Sequence, residues 1–485
     1  MKYLYNLKLY VNSLSIQTKA SIAYMVASVL TKGVNFLTLP VYTRILTTSE
    51  MGVVTTFSSW YAILYVLVTV SLTSGSFNIG MMEYKKERDK YQSVCLSMST
   101  VSALIFGIIY IICYKQINSI TTLSTELMLL QILLFIFYPA VDIWYARQRY
   151  EYHYKSVVLM TLLTTIASVL IPIFCIIRSS KHNVSKLGTV RLFSQNSILI
   201  VIGICLFIYI QIKGKCIFNR KMNKFALSIS LPLVIHSLAK NILDTSDRLM
   251  IAKLCGDSAA GIYGTVYTIS MIGLIVWSAV NSALIPVIFE KLENKQFKDV
   301  GDLGIKILFF FGAISIAVTL IAPEILKVLT TPEYYEAVYM IPAVAAGIFM
   351  SALYGLYGDM LLYIKKTVNI MLATVLATII NIILNLFLIP KYGYMVAAYT
   401  TTISFIILAF VQGWMQRLVF QKEIIPMSKV IIISITVILG CLSCNFIYNN
   451  FTLRYFIIVF FILICILNKK KIKELIDGSG YYDKK

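Results

Sequence analysis

The chain has 485 residues, of which 59% are hydrophobic and only 13% charged, and its 43 Lys and Arg against 22 Asp and Glu give a formal net charge of +21. A soluble domain carries roughly 25% charged residues, so a soluble enzyme is excluded. The positive charge lies mostly in short gaps between apolar runs, which reads as a membrane topology signal rather than as nucleic-acid binding.

Apolar runs of about 20 residues recur along the chain, the length a helix needs to cross the hydrocarbon core. Only helices or closed barrels satisfy the backbone in lipid, and these runs are too continuous for barrel strands. The sequence therefore predicts an all-α integral membrane protein with about 14 transmembrane helices. In chain order the spans fall near 18–39, 53–77, 92–113, 125–145, 156–177, 190–211 and 225–246. The remainder fall near 259–286, 303–322, 338–362, 367–389, 394–416, 428–447 and 452–468. Lys2 and Lys8 precede span 1 without a compact apolar region and a small-residue cleavage site, so span 1 reads as an uncleaved insertion signal. With both termini cytoplasmic, roughly 27 Lys and Arg fall in inner segments and about 9 in outer ones. That three-to-one bias requires an even number of spans.

The gaps leave no room for a folded soluble domain. The chain lacks a G-x-x-x-x-G-K-[ST] phosphate loop, a G-x-S-x-G elbow and an H-E-x-x-H zinc motif. Its three histidines, His153, His182 and His236, are not at metal-ligand spacing. Neither a cofactor nor an enzymatic function is expected. Cys441 and Cys444 have C-x-x-C spacing but lie within a predicted helix, so they read as buried free thiols, like Cys113, Cys175, Cys205 and Cys465 in other spans.

Two internal echoes stand out. The stretch from Arg44 to Gly52 after span 1 and the stretch from Lys253 to Gly261 after span 7 each carry a base followed by a glycine that opens the next helix. Residues 143–175 and 360–389 share a helix end, a short basic hinge (Arg147, Arg149 and Lys155; Lys365 and Lys366) and a Thr/Ile/Leu-rich helix. These echoes divide the chain into an N-lobe at 1–211 holding spans 1–6 and a basic linker at 212–224. A C-lobe at 225–416 holds spans 7–12, followed by spans 13–14 at 417–468 and a basic cytoplasmic tail at 469–485 that includes Lys469, Lys470, Lys471 and Lys473. Two six-helix lobes in parallel pseudo-repeat, plus two C-terminal helices, is a transporter architecture with its site between repeats.

Three stretches resemble the Wzx-type oligosaccharide flippases, the polysaccharide-exporter branch of the multidrug/oligosaccharidyl-lipid/polysaccharide flippase superfamily. They are Leu39-Pro40-Val41-Tyr42-Thr43-Arg44 running to Glu50-Met51-Gly52, Asp247-Arg248-Leu249-Met250-Ile251 with Gly261-Ile262-Tyr263, and Asn381 to Gly393 continuing to Ala397-Ala398. The third, N-x-x-x-N-x-x-x-I-P-x-Y-G, is the most specific. The resemblance implies lobes that alternate between inward and outward openings. It implies an undecaprenyl-diphosphate-linked oligosaccharide as cargo, for O-antigen, capsule or related lipopolysaccharide and surface-glycan assembly in a bacterial cytoplasmic membrane. H+ or Na+ coupling would supply the energy. The partners implied are the lipid-linked oligosaccharide, the bilayer, and the polysaccharide polymerase and chain-length machinery; nucleic acid is not expected.

Charges within spans are costly and mark functional candidates. His236, Lys240, Asp244 and Asp247 recur at intervals of four, four and three, on one face of span 7. Lys32 of span 1 also lies near mid-depth, with Asn35 on the same face. Lys32 and Lys240 are candidates to contact a diphosphate or acidic sugar, with Asn35 and Asn241 bonding sugar hydroxyls. His236, Asp244 and Asp247 are candidates for ion coupling, His236 because its unperturbed pKa of about 6.5 suits proton exchange. The competing reading makes the lysines structural partners of Asp244 and His236 a satisfied buried histidine. Asp247-Arg248 fits an ion pair at the outer mouth. Asp142, Asp359, Lys306 and Arg191 sit near span ends, where snorkelling accounts for them. Pro232 and Pro342 are interior enough to kink their helices. An exporter of small molecules with the same fold, or a membrane polymerase, are the alternative functions.

Overall fold

The computed structural model describes residues 15–467; the tail with Lys469, Lys470, Lys471 and Lys473, the N-terminal Lys2 and Lys8, and the Cys465 side chain lie outside the described residues. Every regular element among the described residues is helical. By packing the chain divides into unit 1, Met1–Gly264, and unit 2, Thr265–Lys485.

Unit 1 holds α1 (Ile16–Ile45), α2 (Thr48–Val68), the short α3 (Phe77–Glu83), α4 (Arg88–Thr121) and α5 (Thr125–Tyr150). It continues with α6 (Tyr154–Lys181), α7 (Leu187–Gly214), α8 (Arg220–Cys255) and the start of α9 (Asp257–Ser270). Side chains start several of these helices by bonding otherwise orphaned amides. Ser15 accepts from the Thr18 amide, Ser124 from Leu127, and Asn219 from Lys221 and Met222. Thr47 and Glu50 form a reciprocal capping box at α2.

Span 2 does not form the single helix expected over 53–77. It stops at Val68, passes through Val70 and Ser71 in the left-handed region (φ 54° and 49°), and resumes as one π-helical turn, Leu72–Ser76. The cause is the run Thr69-Val70-Ser71-Leu72-Thr73-Ser74-Gly75-Ser76, whose β-branched, Ser and Gly residues are poor helix formers that an apolar-run count overlooks. Thr69, Ser71 and Ser76 are nonetheless buried, and the Ser76 and Ser230 hydroxyls bond at 2.6 Å to tie the break to α8.

Unit 2 contains α10 (Ile272–Glu293), α11 (Phe297–Leu320), the short α12 (Ala322–Leu329) and a 3₁₀ segment, Pro332–Met340. It ends with α13 (Ile341–Tyr363), α14 (Thr367–Tyr392), α15 (Val396–Phe420), α16 (Met427–Ile447) and α17 (Phe451–Leu467). Its centre is α13, buried all round from Ile341 to Leu353 and again at Leu356, Tyr357, Met360 and Leu361, as an all-round apolar helix should be. Pro342 starts α13 rather than kinking it, because a proline in the first turn forfeits no intrahelical bond. Pro232 does lie inside a helix, α8. Cys441 and Cys444 are free and buried.

Thirteen helical segments among the described residues are long and apolar enough to span a bilayer, and the shorter apolar α17 occupies the position of the fourteenth. The connections between helices repeat. Tyr152, Lys295 and Lys365 adopt φ of 57°, 57° and 59°. In each case that amide and the next one turn back onto the helix end: Tyr152 to Arg149 and His153 to Gln148, Lys295 to Leu292 and Gln296 to Lys291, Lys365 to Leu362 and Lys366 to Leu361. This Schellman closure satisfies the terminal carbonyls. Two of the three are the basic hinges of the second sequence echo.

Candidate functional site

The polar face of α8 is put to use inside unit 1. Lys240 Nζ pairs with Asp244 Oδ2 at 2.9 Å, one turn along the same helix, with both side chains partly exposed. Asn241 Nδ2 donates to the Ala62 carbonyl of α2 at 3.0 Å, which occupies part of the amide expected to meet sugar. Asp247 is fully buried; it accepts from the Arg248 amide at 2.8 Å and from the Tyr263 hydroxyl at 2.5 Å, joining α8 to α9. His236 is half-buried, and its Nδ1 is enclosed without a hydrogen bond among the described residues. Lys32 and Asn35 are exposed one turn apart on α1. The structure thus brings Lys240 to Asp244, and places Asn241 and Asp247 at helix contacts.

A polar cavity of about 420 Å³ opens between α1, α5 and α6 and touches the α2 break. From α5 it is lined by Tyr138, Asp142, Tyr145 and Arg149, and from α6 by Thr161 and Thr165. Asp142 lies well inside α5, not at a span end, and its Oδ2 accepts the Tyr65 hydroxyl at 2.6 Å. The Arg149 guanidinium lies 5.8 Å from the Tyr145 ring and 6.0 Å from that of Tyr24. Thr31 and Thr165 share a 3.1 Å hydroxyl bond across α1 and α6. Snorkelling does not account for Asp142, because it turns inward to the Tyr65 hydroxyl of α2 and lines the cavity within the unit. The signal was the four-three-four interval of the α5 residues, which sets them on one face.

A second cavity, of about 550 Å³, lies where α2, α5 and α7 begin. Here Glu50 serves two helices: Oε2 closes the α2 capping box, and Oε1 accepts the Leu187 amide of α7 at 2.6 Å. At the end with the basic connections, Arg147 pairs with Asp89 and, at 3.3 Å, with Glu151, while Arg88 reaches Glu151 at 3.6 Å. This network joins α4 to α5. In unit 2, Asn381 Nδ2 donates to Thr401 at 3.2 Å, Asn385 Nδ2 to Asn381 at 3.1 Å, and the Thr400 hydroxyl to Asn385. All four residues are buried between α14 and α15, and Gly393, at φ 80°, ends α14 just beyond them. Among the described residues no group of three His, Cys, Asp or Glu side chains is arranged to hold a metal ion.

Residues 18–292 match the family of polysaccharide biosynthesis proteins, and residues 232–387 match the MatE family. A stretch of 181 residues, 36% of this chain and 37% of the relative, is 25% identical to a probable low-salt glycan biosynthesis flippase of Haloferax volcanii. The chain aligns with less than half the length of the curated relatives it matches. Its fold is similar to that of the lipid II flippase MurJ in an inward closed conformation, with a TM-score of 0.68 at 16% identity, covering 93% of this chain and all of that one. It is also similar to an inward-facing multidrug resistance MATE family transporter, with a TM-score of 0.61 at 14% identity over 80% of this chain and 94% of that one. With more than half of its length matched, the chain belongs to the polysaccharide biosynthesis protein family, and its helices are those of a multi-pass membrane protein.

Proposed function

We propose that the protein moves undecaprenyl-diphosphate-linked oligosaccharide repeat units from the cytoplasmic to the outer face of a bacterial cytoplasmic membrane by alternating access, serving O-antigen, capsule or a related surface glycan. The observation that carries this reading is the family match over 18–292. The MurJ-like fold and the glycan-flippase relative support it. In this reading both termini are cytoplasmic, the N-lobe and C-lobe at 1–211 and 225–416 rock against each other, and a polymerase and chain-length machinery receive the exported unit. Lys32, Asn35, His236, Lys240 and Asn241 contact cargo. Protons or sodium drive the cycle through His236, Asp244 or Asp247.

A deletion strain tests the reading directly. The complete lipid-linked repeat unit should accumulate facing the cytoplasm, and the intact gene should reverse this while a Lys32→Gln/Lys240→Gln variant does not. Export by the double variant at the normal rate removes both lysines from the site. His236→Gln with undiminished transport across pH removes the histidine, whose charged neighbours on α8 are Lys240 and Asp244.

The MatE match and the MATE-like fold favour a second reading, a cation-coupled exporter of small molecules. An unchanged glycan with raised drug sensitivity in the deletion strain selects it.

A further inference from the structure

The cavity between α1, α5 and α6 carries more information than its polarity alone. Its volume of about 420 Å³ is in the range that small-molecule sites occupy. Asp142 and Arg149 lie two turns apart on α5, about 10 Å along the axis, which leaves room for a ring between them. Tyr138 and Tyr145 stand on the same face and supply aromatic walls, and Thr31, Thr161 and Thr165 supply hydroxyls from the facing helices.

Neither charge is used up by the fold. Asp142 accepts only from Tyr65, through Oδ2, so Oδ1 has no hydrogen bond among the described residues. Arg149 forms no ion pair among the described residues; only the faces of Tyr24 and Tyr145 attend its guanidinium. Contact with those rings takes up none of its N–H donors, and these match a carboxylate or phosphate in a two-bond fork. Arg149 stands exposed in the last turn of α5 and lines the cavity, so its guanidinium is open to an anion that enters. A free acceptor on one side, a free fork on the other, and two-way hydroxyls between them fit a ligand with several hydroxyls and one anionic group.

We propose that this cavity is a subsite for an anionic sugar, in which Arg149 pairs with the sugar's carboxylate or phosphate while Asp142 and the threonines bond its ring hydroxyls. The proposal rests on the transport reading for its biological meaning, and it assigns that reading a cargo-selecting pocket in unit 1 apart from Lys32 and Lys240. The anion has two sources, an acidic sugar in the repeat unit or the phosphate that joins the first sugar to the lipid.

The test uses purified full-length protein in lipid nanodiscs, titrated with glucuronic acid, glucose 1-phosphate and glucose at constant ionic strength. Trp144, whose ring is 5.3 Å from that of Tyr145, reports occupancy by fluorescence. At least one anionic sugar should bind about tenfold tighter than glucose or better. Arg149→Gln should abolish that preference, Arg149→Lys should keep part of it, and Asp142→Asn should weaken all three ligands. Glucuronic acid as the sole tight ligand assigns the anion to the repeat unit, and glucose 1-phosphate as the sole tight ligand assigns it to the linker. Equal binding of all three, unaltered by Arg149→Gln or Arg149→Lys, overturns the subsite. Transport of lipid-linked glycan without sugar binding in nanodiscs overturns the subsite alone, whereas binding without such transport overturns the transport reading.

Discussion

Gly52 packs so closely on Asp257 that a methyl group added to it would lie 1.9 Å from the Asp257 carbonyl oxygen. The contact is reciprocal: a methyl on Gly261 would lie 2.0 Å from the Thr48 carbonyl. Between them the Thr48 and Ser258 hydroxyls bond at 2.8 Å. Arg44–Gly52 and Lys253–Gly261 are the two sequence stretches that echo one another, so the echoing segments form each other's packing surface at the starts of α2 and α9. Small residues let helices approach this closely in a membrane, where shape rather than water drives association.

Gly52→Ala and Gly261→Ala should each reduce the yield of folded protein and lower its melting temperature, because backbone cannot yield as a flexible side chain does. Gly33, with no atom within 4 Å of its would-be methyl, is the control. Gly33→Ala should be neutral or should stabilise by up to about 1 kcal/mol, as expected in a helix interior. Fluorescence-detected size exclusion after heating compares the three.

The Lys240–Asp244 pair separates cargo binding from structural pairing. If Lys240 serves cargo, Lys240→Gln/Asp244→Asn should transport no better than Lys240→Gln alone, whatever Asp244→Asn does by itself. If the pair is purely structural, the two single variants should behave alike and Lys240→Gln/Asp244→Asn should recover, since neither partner is then left uncompensated. Export rates for the three variants, normalised to protein in the membrane, decide between these outcomes.

Asn385 holds together the buried ladder between α14 and α15. Asn385→Leu should lower stability by about 1–3 kcal/mol, the cost of taking the Asn385 amide away from the Asn381 carbonyl and the Thr400 hydroxyl. Thermal unfolding in detergent should show the loss, while sugar binding in unit 1 should be unchanged.

Val70 is β-branched and held at φ 54°, where its Cβ crowds the backbone. Val70→Gly removes that crowding and should raise stability by about 1 kcal/mol. A fall in melting temperature would mean that side-chain packing at the break outweighs the backbone strain.

The presence of the helices was legible in the sequence, because a span is set by an apolar run, but their limits often were not: α4 runs on to Thr121 and α8 to Cys255, and the run at 259–286 is divided between α9 and α10. The break after Val68 was not legible, because residues of low helix propensity that sit between apolar ones raise no flag in a count of hydrophobicity. The polar face of α8 was legible from its spacing, but spacing could not reveal that Asn241 meets the Ala62 carbonyl or that Asp247 meets Tyr263. Those partners lie on other helices. The α5 face was within reach as well: Tyr138, Asp142, Tyr145 and Arg149 have helical periodicity. Placing the span end at 145 assigned Asp142 to the interface and Arg149 to a loop, and so split the face.

Asn381, Asn385 and Gly393 belong to the stretch that most strongly suggests the family, and all three serve the joint between α14 and α15: two bond across it and the third ends the helix beyond it. A search of genomes with that stretch would therefore collect proteins by their assembly, whatever passes through them. Sorting such a collection by cargo calls for a different query, one aimed at the side chains of α5 and α6 that the joint leaves free to vary.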